Sequence, residues 1–563
     1  MNSDFPIFTK SNECHDCYKC VRRCPSKAIR VKNGSASVIP ELCVSCGTCV
    51  LVCPAKAKIV RNDVPSVKRL VKEGRVVASL APSWVSCYPG MTLVDMERAL
   101  KKLGFDFVRE TANGAEIASV QTVDLLNRSE HGLFISSACP SAVEFIYKFM
   151  PDMADFVMTV PSPAVLHAEA LKRHHYGTLS VVLIAPCIGK KREAALDNAL
   201  DAALTFEELD RWLSDEGVGI EPGGAYGERA TVVGKGAFYP IEGGMLKTVE
   251  PFVSGLTALS LSGLDTIERV LSGESEAVRT GKVFVEALAC EGGCINGPGR
   301  RCDRKPGKLS DILEVAKRHC SENIKLLEVT GTAATMPDKV DHSAYEPPEE
   351  ADLQRALAGI GKYAHTDELN CGGCGYQTCR DFASALVEGK AEQAMCASYM
   401  RKLAQKKANA LIKYIPAGVV VVGKNLQIIE SNRRFASLFG QDVELIFDQT
   451  DGLQGADLNR ILPFGTLFEA SLASGNDLFR NGYKLNERIF DIKVFSIEPH
   501  RMVGAIIEDV TALECRREKI AEKAREVISK NVLTVQQIAK CLGEHMADTE
   551  VLLRQVASGF EEG

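Results

Sequence analysis

The first sixty residues carry two copies of one cysteine motif, C-x2-C-x2-C-x3-C-P. Thiolates at this spacing bind 4Fe–4S clusters, and the fourth cysteine of each copy ligates the cluster of the other copy. The spacing therefore predicts two clusters, with the ligand sets Cys14, Cys17, Cys20 and Cys53 for the first and Cys43, Cys46, Cys49 and Cys24 for the second. Zinc is the alternative, but zinc sites usually space their ligands more widely and often recruit histidine. The chemistry expected here is electron transfer.

Four further cysteines follow apolar runs in the middle of the chain. Residues 76–315 alternate β-rich runs with helical stretches, which predicts an α/β domain. Cys139, Cys187 and Cys290 each end such a run, and Cys294 lies four residues later. A single buried cysteine is usually a small hydrophobe, but strand ends are where α/β domains build their sites. Four thiolates at strand ends match the ligands of one more cubane.

The loops around these cysteines resemble the three signature loops of the FeFe-hydrogenases, and the resemblance covers most of residues 1–320. The loops read SSACP, APCIGKKRE and EALACEGGCINGPG. The resemblance implies that the four cysteines hold a cubane, and that Cys294 bridges it to a two-iron centre with carbonyl and cyanide ligands. It also implies that Lys190 donates to one cyanide and that Ser83 contacts the other. A buried ammonium needs an anionic partner, which an iron-bound cyanide supplies.

The sequence departs from the family where protons are relayed. Active members carry a second cysteine where this chain has Ala138, and alignment places Thr122 at a relay glutamate and Met158 at a relay serine. Losing a positioned acid or base costs about 10²–10⁴ in rate. We therefore expect hydrogen to be split slowly and by another proton route. Glu116 and Glu193 are candidate acids, with structural or solvated roles as the alternative.

A second cysteine group follows a segment rich in proline and acid, residues 321–352, which indicates a linker. Cys371, Cys374, Cys379 and Cys396 have the spacing C-x2-C-x4-C-x16-C. This spacing resembles the small 4Fe–4S modules of corrinoid iron–sulfur proteins and electron-transport complexes, and zinc is again the alternative. Five cysteines remain as ordinary thiols, namely Cys87, Cys302, Cys320, Cys515 and Cys541.

The tail of the chain predicts a sensory domain and a long helix. The order of strands and helices over residues 411–512 resembles a PAS domain. No cysteine lies between Cys396 and Cys515, which excludes flavin–cysteine photochemistry and favours a plain dimerising PAS domain. Residues 513–563 carry an apolar stripe on one helical face, which another helix must bury. We expect a parallel dimer or a docked partner; folding back onto the PAS core is the alternative.

Composition restricts the class of protein. The 563 residues carry a net charge of −6 and 21 cysteines, so no strong positive field attracts nucleic acid or an anionic membrane. We find no apolar run long enough for a membrane span and no export leader. A cytoplasmic location is therefore expected, where thiols stay reduced and so many cysteines indicate metal rather than disulfides.

Together these features predict a multidomain chain of mixed α+β and α/β class. Its parts are a ferredoxin-like domain with two 4Fe–4S clusters (1–65), a FeFe-hydrogenase-like α/β domain (76–320), a linker (321–352), a small helical 4Fe–4S module (353–408), a PAS domain (411–512) and a C-terminal helix (513–563).

The function expected is that of a sensory FeFe-hydrogenase with four 4Fe–4S clusters and one two-iron centre. Its expected partners are hydrogen and protons, a redox protein such as ferredoxin, dedicated maturases, a separate kinase or phosphatase, and a second copy of the chain. Two alternatives are a catalytic hydrogenase whose PAS domain serves only for assembly, and an iron–sulfur redox sensor without the two-iron centre.

Overall fold

The computed structural model describes residues 5–175, 179–222, 234–273, 281–300, 309–317, 348–450 and 452–559. The chain divides into two compact units, Met1–Tyr399 and Met400–Gly563. Cys302, Cys320 and most of the predicted linker lie outside the described residues. Within the described ranges, no helix has the length and apolar character that crossing a membrane requires.

The N-terminal domain consists of two similar halves, as the repeated motif predicts. Strand β1 (Ile7–Thr9) pairs antiparallel with β4 (Lys58–Val60), and β2 (Ile29–Lys32) pairs antiparallel with β3 (Ser35–Val38). Each half contains one short helix, α1 (Lys19–Arg23) or α2 (Thr48–Val52). Each helix ends at the cysteine that precedes a proline, because proline disfavours helical conformation in the residue before it.

The central domain contains two parallel sheets, whose strand orders are β6-β5-β8-β9 and β10-β11-β7. Their apolar strands are mostly buried, as strands covered on both faces usually are. The carboxyl ends of parallel strands share one edge of a sheet, where the loops that follow them meet. The strands are β5 (Arg75–Leu80), β6 (Phe107–Glu110), β7 (Gly132–Ile135), β8 (Leu179–Ile184), β9 (Ala202–Leu204), β10 (Leu256–Ser262) and β11 (Lys282–Leu288).

Eleven helices of the central domain lie in the described ranges. They are α3 (Val64–Glu73), α4 (Trp84–Cys87), α5 (Leu93–Lys102), α6 (Ala112–Arg128), α7 (Pro140–Phe149), α8 (Pro163–His174), α9 (Gly189–Leu196), α10 (Phe206–Asp215), α11 (Leu246–Val249), α12 (Leu264–Leu271) and α13 (Leu309–Ala316). Thr92 and Thr205 begin α5 and α10 with reciprocal side-chain caps, which satisfy backbone N–H groups that the first turn leaves free.

The C-terminal cysteine module completes the first unit. It comprises α14 (Glu350–Gly359), α15 (Cys379–Val387) and the start of α16 (Ala397–Tyr414). Helix α14 begins inside the segment expected to be a linker, so residues 350–352 are helical. Glu350 and Asp352 lie in its first turn, where carboxylates interact favourably with the positive end of the helix dipole.

The second unit contains a five-stranded antiparallel sheet with the order β13-β12-β16-β15-β14. Its strands are β12 (Gly418–Gly423), β13 (Ile428–Ser431), β14 (Leu478–Leu485), β15 (Arg488–Glu498) and β16 (Met502–Asp509). Helices α17 (Arg433–Leu438), α18 (Gln441–Thr450) and α19 (Gly465–Ser474) connect β13 to β14, and α20 (Thr511–Gly559) follows the sheet. The apolar core lies between the sheet and these connecting helices, with Phe435, Phe468 and Phe490 fully buried.

A buried charge network joins the N-terminal and central domains. Lys191, on α9, has no exposed surface. Its Nζ lies 2.8 Å from a carboxylate oxygen of Asp63 and 2.8 Å from a carboxylate oxygen of Glu208, and it donates to the carbonyl of Ala203 at 3.1 Å. Because the ammonium and both carboxylates are removed from water, loss of one partner leaves uncompensated buried charge.

We predict that Lys191→Met lowers the free energy of unfolding of this domain by about 3–5 kcal/mol. Both tryptophans of the chain, Trp84 and Trp212, lie in the core of this domain, so urea unfolding followed by tryptophan fluorescence measures the loss. The control is Lys172→Met, which removes a partly exposed pair with Asp201 and should cost at most about 1 kcal/mol. Equal losses in both variants would contradict the role given to Lys191.

Candidate metal centre

The loops after three parallel strands bring the four central cysteines together. Cys139 follows β7 and immediately precedes α7, Cys187 follows β8, and Cys290 follows β11. Cys294 begins a short 3-10 helix in the same loop as Cys290. All four cysteines line one small cavity. The structure therefore gathers the four thiols that the strand-end pattern singled out, and it leaves an internal space between them.

Burial favours the protonated form of three of these thiols, Cys187, Cys290 and Cys294. Desolvation first, and the nearby Cys139 thiol second, raise the pKa of Cys187 to about 12. Burial also raises the pKa values of Cys290 and Cys294 well above the ordinary range of a thiol. Lys190 acts in the opposite sense on Cys187 and Cys294, because its positive charge favours their thiolates. Mutually repelling thiolates in a dry site are stable only when a cation or a metal cluster shares the site.

A second cavity, of about 110 Å³, adjoins the first and shares Cys139, Cys187 and Cys294 with it. Ser83 and Lys190 also line this cavity, in walls that are otherwise mostly apolar. The Ser83 Oγ atom is buried and has no hydrogen-bond partner in the structure. An orphaned hydroxyl, an ammonium and a cysteine thiol on one apolar cavity fit an iron centre whose ligands would accept both hydrogen bonds.

Lys190 has a protein partner that the sequence interpretation did not assign to it. Its Nζ lies 2.7 Å from Oε2 of Glu193, one turn along α9, and both side chains are largely buried. Glu193 is therefore neither solvated nor free, and its carboxylate supplies an anion for the ammonium. The structure accordingly gives Lys190 two roles, one in this ion pair and one on the cavity wall.

The three substituted relay positions are occupied by apolar or unpaired groups. Ala138 lines the cavity, and Ala138 and Met158 pack in the same apolar cluster. Thr122 is buried on α6, and its Oγ1 has no hydrogen-bond partner. Glu116, one of the candidate acids, accepts a hydrogen bond from the backbone N–H of Gly236. None of these groups forms a continuous chain of acids leading from the cavity.

Seven of the eight ferredoxin cysteines, all but Cys53, fall into two sets by their mutual electrostatic influence. Cys24 faces Cys46, and Cys49 faces Cys43, Cys46 and Cys24; the pKa values of all four are raised, first by burial. This is the set proposed for the second cluster. In the other half, Cys14 and Cys17 face Cys20, whose pKa is likewise raised, first by burial.

Three of the four C-terminal cysteines, Cys371, Cys374 and Cys396, lie near one another. Cys371 and Cys396 face Cys374, whose pKa is raised chiefly by burial. Cys379 and Cys396 are buried, whereas Cys371 is exposed. Within the described ranges, no group of three or more Cys, His, Asp or Glu side chains converges tightly enough to hold a single metal ion.

The ferredoxin domain docks directly on the central site. Cys46 lines the same cavity as the four central cysteines. At Gly47 a Cβ atom would lie 2.4 Å from Pro298 and 2.7 Å from Ile188, and the residue has a φ of +77°. Only glycine meets both conditions. This contact places the second ferredoxin site beside the central one.

Sequence reasoning missed two polar residues near the cavity. Tyr239 lines it, and its hydroxyl lies 2.9 Å from Oγ of Ser119. Glu286 is almost fully buried and accepts hydrogen bonds from the backbone N–H groups of Gly243 and Met245. A carboxylate inside the apolar run VFVEAL was a signal that could have identified Glu286; nothing in the sequence around Tyr239 marks it.

Three family models match separate stretches of the chain. Residues 74–298 match the family described as iron only hydrogenase large subunit, C-terminal domain. Residues 6–54 match a 4Fe-4S dicluster domain, and residues 367–409 match a family described as a putative Fe-S cluster. The predicted FeFe-hydrogenase large-subunit domain, accompanied by iron–sulfur domains, is thereby confirmed.

Three characterised relatives share the central region. The NADP-reducing hydrogenase subunit HndD of Solidesulfovibrio fructosivorans is 24% identical over 345 residues, which are 51% of this chain and 56% of the relative. Iron hydrogenase 1 of Clostridium pasteurianum is 25% identical over 300 residues, 41% of this chain and 52% of the relative. The periplasmic Fe hydrogenase large subunit of Nitratidesulfovibrio vulgaris is 28% identical over 358 residues, 51% of this chain and 84% of the relative. The chain thus spans about half the length of the first two relatives.

We predict that loading of the central site depends on pH and on Lys190. Cluster binding must displace protons from thiols whose pKa values are raised, so affinity rises with pH up to those pKa values. Lys190→Met removes the cation that favours the thiolates of Cys187 and Cys294, and half-loading should move to higher pH by about one unit.

The measurement is iron bound by the full chain at a series of pH values, minus iron bound by a Cys290→Ala chain. Glu193, Glu286 and Cys46 are the other titratable groups that face these thiols, and they are unchanged in both chains. Lys172→Met serves as the charge-matched control. An unshifted loading curve for Lys190→Met would show that the ammonium has no influence on the thiols.

Proposed function

We propose that this chain, whose central domain is of the FeFe-hydrogenase large-subunit family, is a sensory hydrogenase that binds hydrogen and turns it over slowly. One observation carries the proposal. Ser83, Lys190 and Cys294 line an apolar cavity that adjoins the site of the four central cysteines. Ala138 lines the same cavity, at the position where a proton-relaying thiol would be needed. The site can hold the active group but lacks a fast proton donor.

The residues of the cavity have distinct roles in this proposal. Cys139, Cys187, Cys290 and Cys294 hold a cubane, and Cys294 also anchors a two-iron group that, when bound, supplies the hydrogen chemistry. Lys190 and Ser83 line the cavity and would donate hydrogen bonds to the ligands of that group. The apolar walls exclude water, which strengthens these interactions. Ala138 offers no proton, so transfer must use a slower route.

Electrons leave the centre through the ferredoxin domain. Cys46 reaches the cavity of the central cysteines, and Cys17, in the other half of that domain, is exposed. We propose four 4Fe–4S clusters, one at each cysteine set described above, and a soluble ferredoxin as the external electron partner at the exposed end. Dedicated maturases would load the two-iron group in the cytoplasm.

The second unit supplies the sensory part of the proposal. If the five antiparallel strands of this unit are numbered in chain order, their order in the sheet is 2-1-5-4-3. The connecting helices α17, α18 and α19 lie between the second and third strands in the sequence. This order and the buried aromatic core support a PAS domain. We propose that it signals to a separate kinase or phosphatase, provided that the partner binds the two redox states differently.

Infrared spectroscopy tests the proposal. Full-length protein matured by the dedicated maturases should show bands of carbonyl and cyanide bound to iron, and the bands should change between argon and hydrogen. Absence of the bands after competent maturation would favour the alternative function, an iron–sulfur redox sensor that has no two-iron centre. High catalytic current in film electrochemistry near neutral pH would instead favour a working hydrogenase whose PAS domain serves for assembly.

We predict that Ala138→Cys raises hydrogen turnover by up to about 10²-fold, because it places an ionisable thiol on the cavity wall. The matched control is Ala138→Ser, which has nearly the same size but a hydroxyl that ionises far less readily. Hydrogen oxidation with a dye acceptor measures the effect. If the cysteine and serine variants both turn over like the parent chain, the limiting step lies elsewhere, with Thr122 and Met158 as the next positions to change.

Helix α20 supports assembly through a second copy of the chain. It is 49 residues long, and every side chain from Cys515 to Ser558 is exposed. Its apolar residues recur at heptad spacing near the end, at Val532, Val535, Ala539, Leu542, Met546, Leu553 and Val556. The structure does not show the alternative in which this face folds back on its own sheet. An isolated amphipathic helix of this kind is stabilised by packing, so we propose a parallel helical dimer.

We predict that Val535→Asp with Leu542→Asp converts the dimer to a monomer, because two carboxylates then occupy the apolar seam. Analytical ultracentrifugation measures the mass. The control is Lys519→Asp with Lys523→Asp, which makes a larger change of charge near the start of the helix outside this seam and should preserve the dimer. A parent chain that sediments as a monomer would refute the helical dimer itself.

A further inference from the structure

The C-terminal cysteine module packs against the ferredoxin domain through one shared apolar core. Residues of both parts contribute buried side chains to it: Phe5, Val21, Ile29 and Val31 from the ferredoxin domain, and Leu357, Ile360, Phe382 and Met395 from the module. Backbone hydrogen bonds extend the contact, since the N–H of Val31 donates to the carbonyl of Lys390 at 2.9 Å. The two parts therefore form a fixed interface within the first unit.

The cysteine-bearing loops themselves meet at this interface. The Arg22 guanidinium donates to the carbonyl of Cys17 at 2.9 Å and to that of Gly373 at 3.4 Å, so it links one loop of each part. Gly375 has a φ of +99°, and a Cβ there would lie 2.9 Å from Val21. This close approach requires glycine, and Gly375 lies one residue after the proposed cluster ligand Cys374.

Tyr376 lies between cysteines of the two parts. It is 5% exposed, and its hydroxyl is buried with no hydrogen-bond partner in the structure. Cys374 of the module and Cys24 of the ferredoxin domain both lie near the ring, and the unpartnered phenol O–H can donate a hydrogen bond to an acceptor there. Lys27 lies over the ring, with its Nζ 5.9 Å from the centroid.

We infer that the C-terminal cluster site exchanges electrons with the ferredoxin domain, across a contact centred on Tyr376, and that the Tyr376 hydroxyl donates a hydrogen bond to a cluster sulfur there. One electron passes at a time, so one site is oxidised as the other is reduced. Cys46 of the ferredoxin domain lines the central cavity, whereas no cysteine of the C-terminal module does. The ferredoxin domain thus lies between the hydrogenase centre and the C-terminal site.

This inference rests on the clusters of the proposed function and not on hydrogen turnover, so it is tested with dithionite as reductant. The full chain is loaded with iron and sulfide, and power saturation of the C-terminal cluster signal is followed by electron paramagnetic resonance. Cys43→Ala removes the ferredoxin cluster beside Cys24 and should slow the relaxation of that signal. Cys187→Ala removes the central cubane and should leave it unchanged.

Iron content should fall by about four atoms in each variant, which shows that one 4Fe–4S cluster is lost and that the others remain. Unchanged relaxation in Cys43→Ala, or an equal effect of Cys187→Ala, would overturn the proposed order of sites. Because this outcome does not depend on carbonyl and cyanide bands, it is separable from failure of the proposed function.

A second variant tests the hydroxyl. Tyr376→Phe keeps the ring and removes only the donor, and hydrogen bonds to cluster sulfurs help set reduction potentials. We expect full iron content and a midpoint potential shifted to more negative values at the C-terminal cluster or the ferredoxin cluster, measured by redox titration. Arg23→Gln, on the exposed side of α1, is the control and should shift neither. Unshifted potentials at both clusters in Tyr376→Phe would remove the hydroxyl from the contact.

Discussion

Desolvation of cysteine thiols is the constraint on which the rest of the first unit depends. A buried thiol is most stable when protonated, and a group of buried thiolates repels itself unless a metal cluster is present. The fold nevertheless brings Cys187, Cys290 and Cys294 to one dry edge of two parallel sheets. The order of the strands, the close contact at Gly47 and the Lys191 charge network hold the thiols in this arrangement before a cluster binds.

Under the proposed function, the same dryness explains why a missing proton relay matters. In an open site, water could replace an absent acid, but Ala138 and Met158 belong to one apolar cluster, and such cavities exclude water. Ala138 and Met158, two of the substituted positions, therefore pack together in one apolar cluster. Lys190 lines the cavity, and its charge is already paired with the carboxylate of Glu193.

The sequence identified the residues of the candidate sites better than it identified the contacts that those residues make. Cysteine spacing identifies the proposed ligands of the two ferredoxin clusters and of the C-terminal cluster, whereas the four central cysteines were recognised by their positions at strand ends and by the family resemblance. The strand pair β15 and β16 was visible as alternating apolar residues, whereas β14 was not predicted, because it is largely exposed and interrupted at Gly482. The Lys190–Glu193 pair, the burial of Lys191 and the packing of Tyr376 depend on residues distant in sequence or on side-chain direction, which spacing alone does not encode.

Helix α20 has a mechanical consequence of its own. At 1.5 Å per residue its 49 residues extend for about 74 Å. If the helix moves as a rigid rod, a small rotation or axial shift at Thr511, where the helix leaves the sheet, displaces the far end of the helix. A protein that binds the far end of the helix need not touch the sheet at all, and the distance between the two is set by the length of the helix.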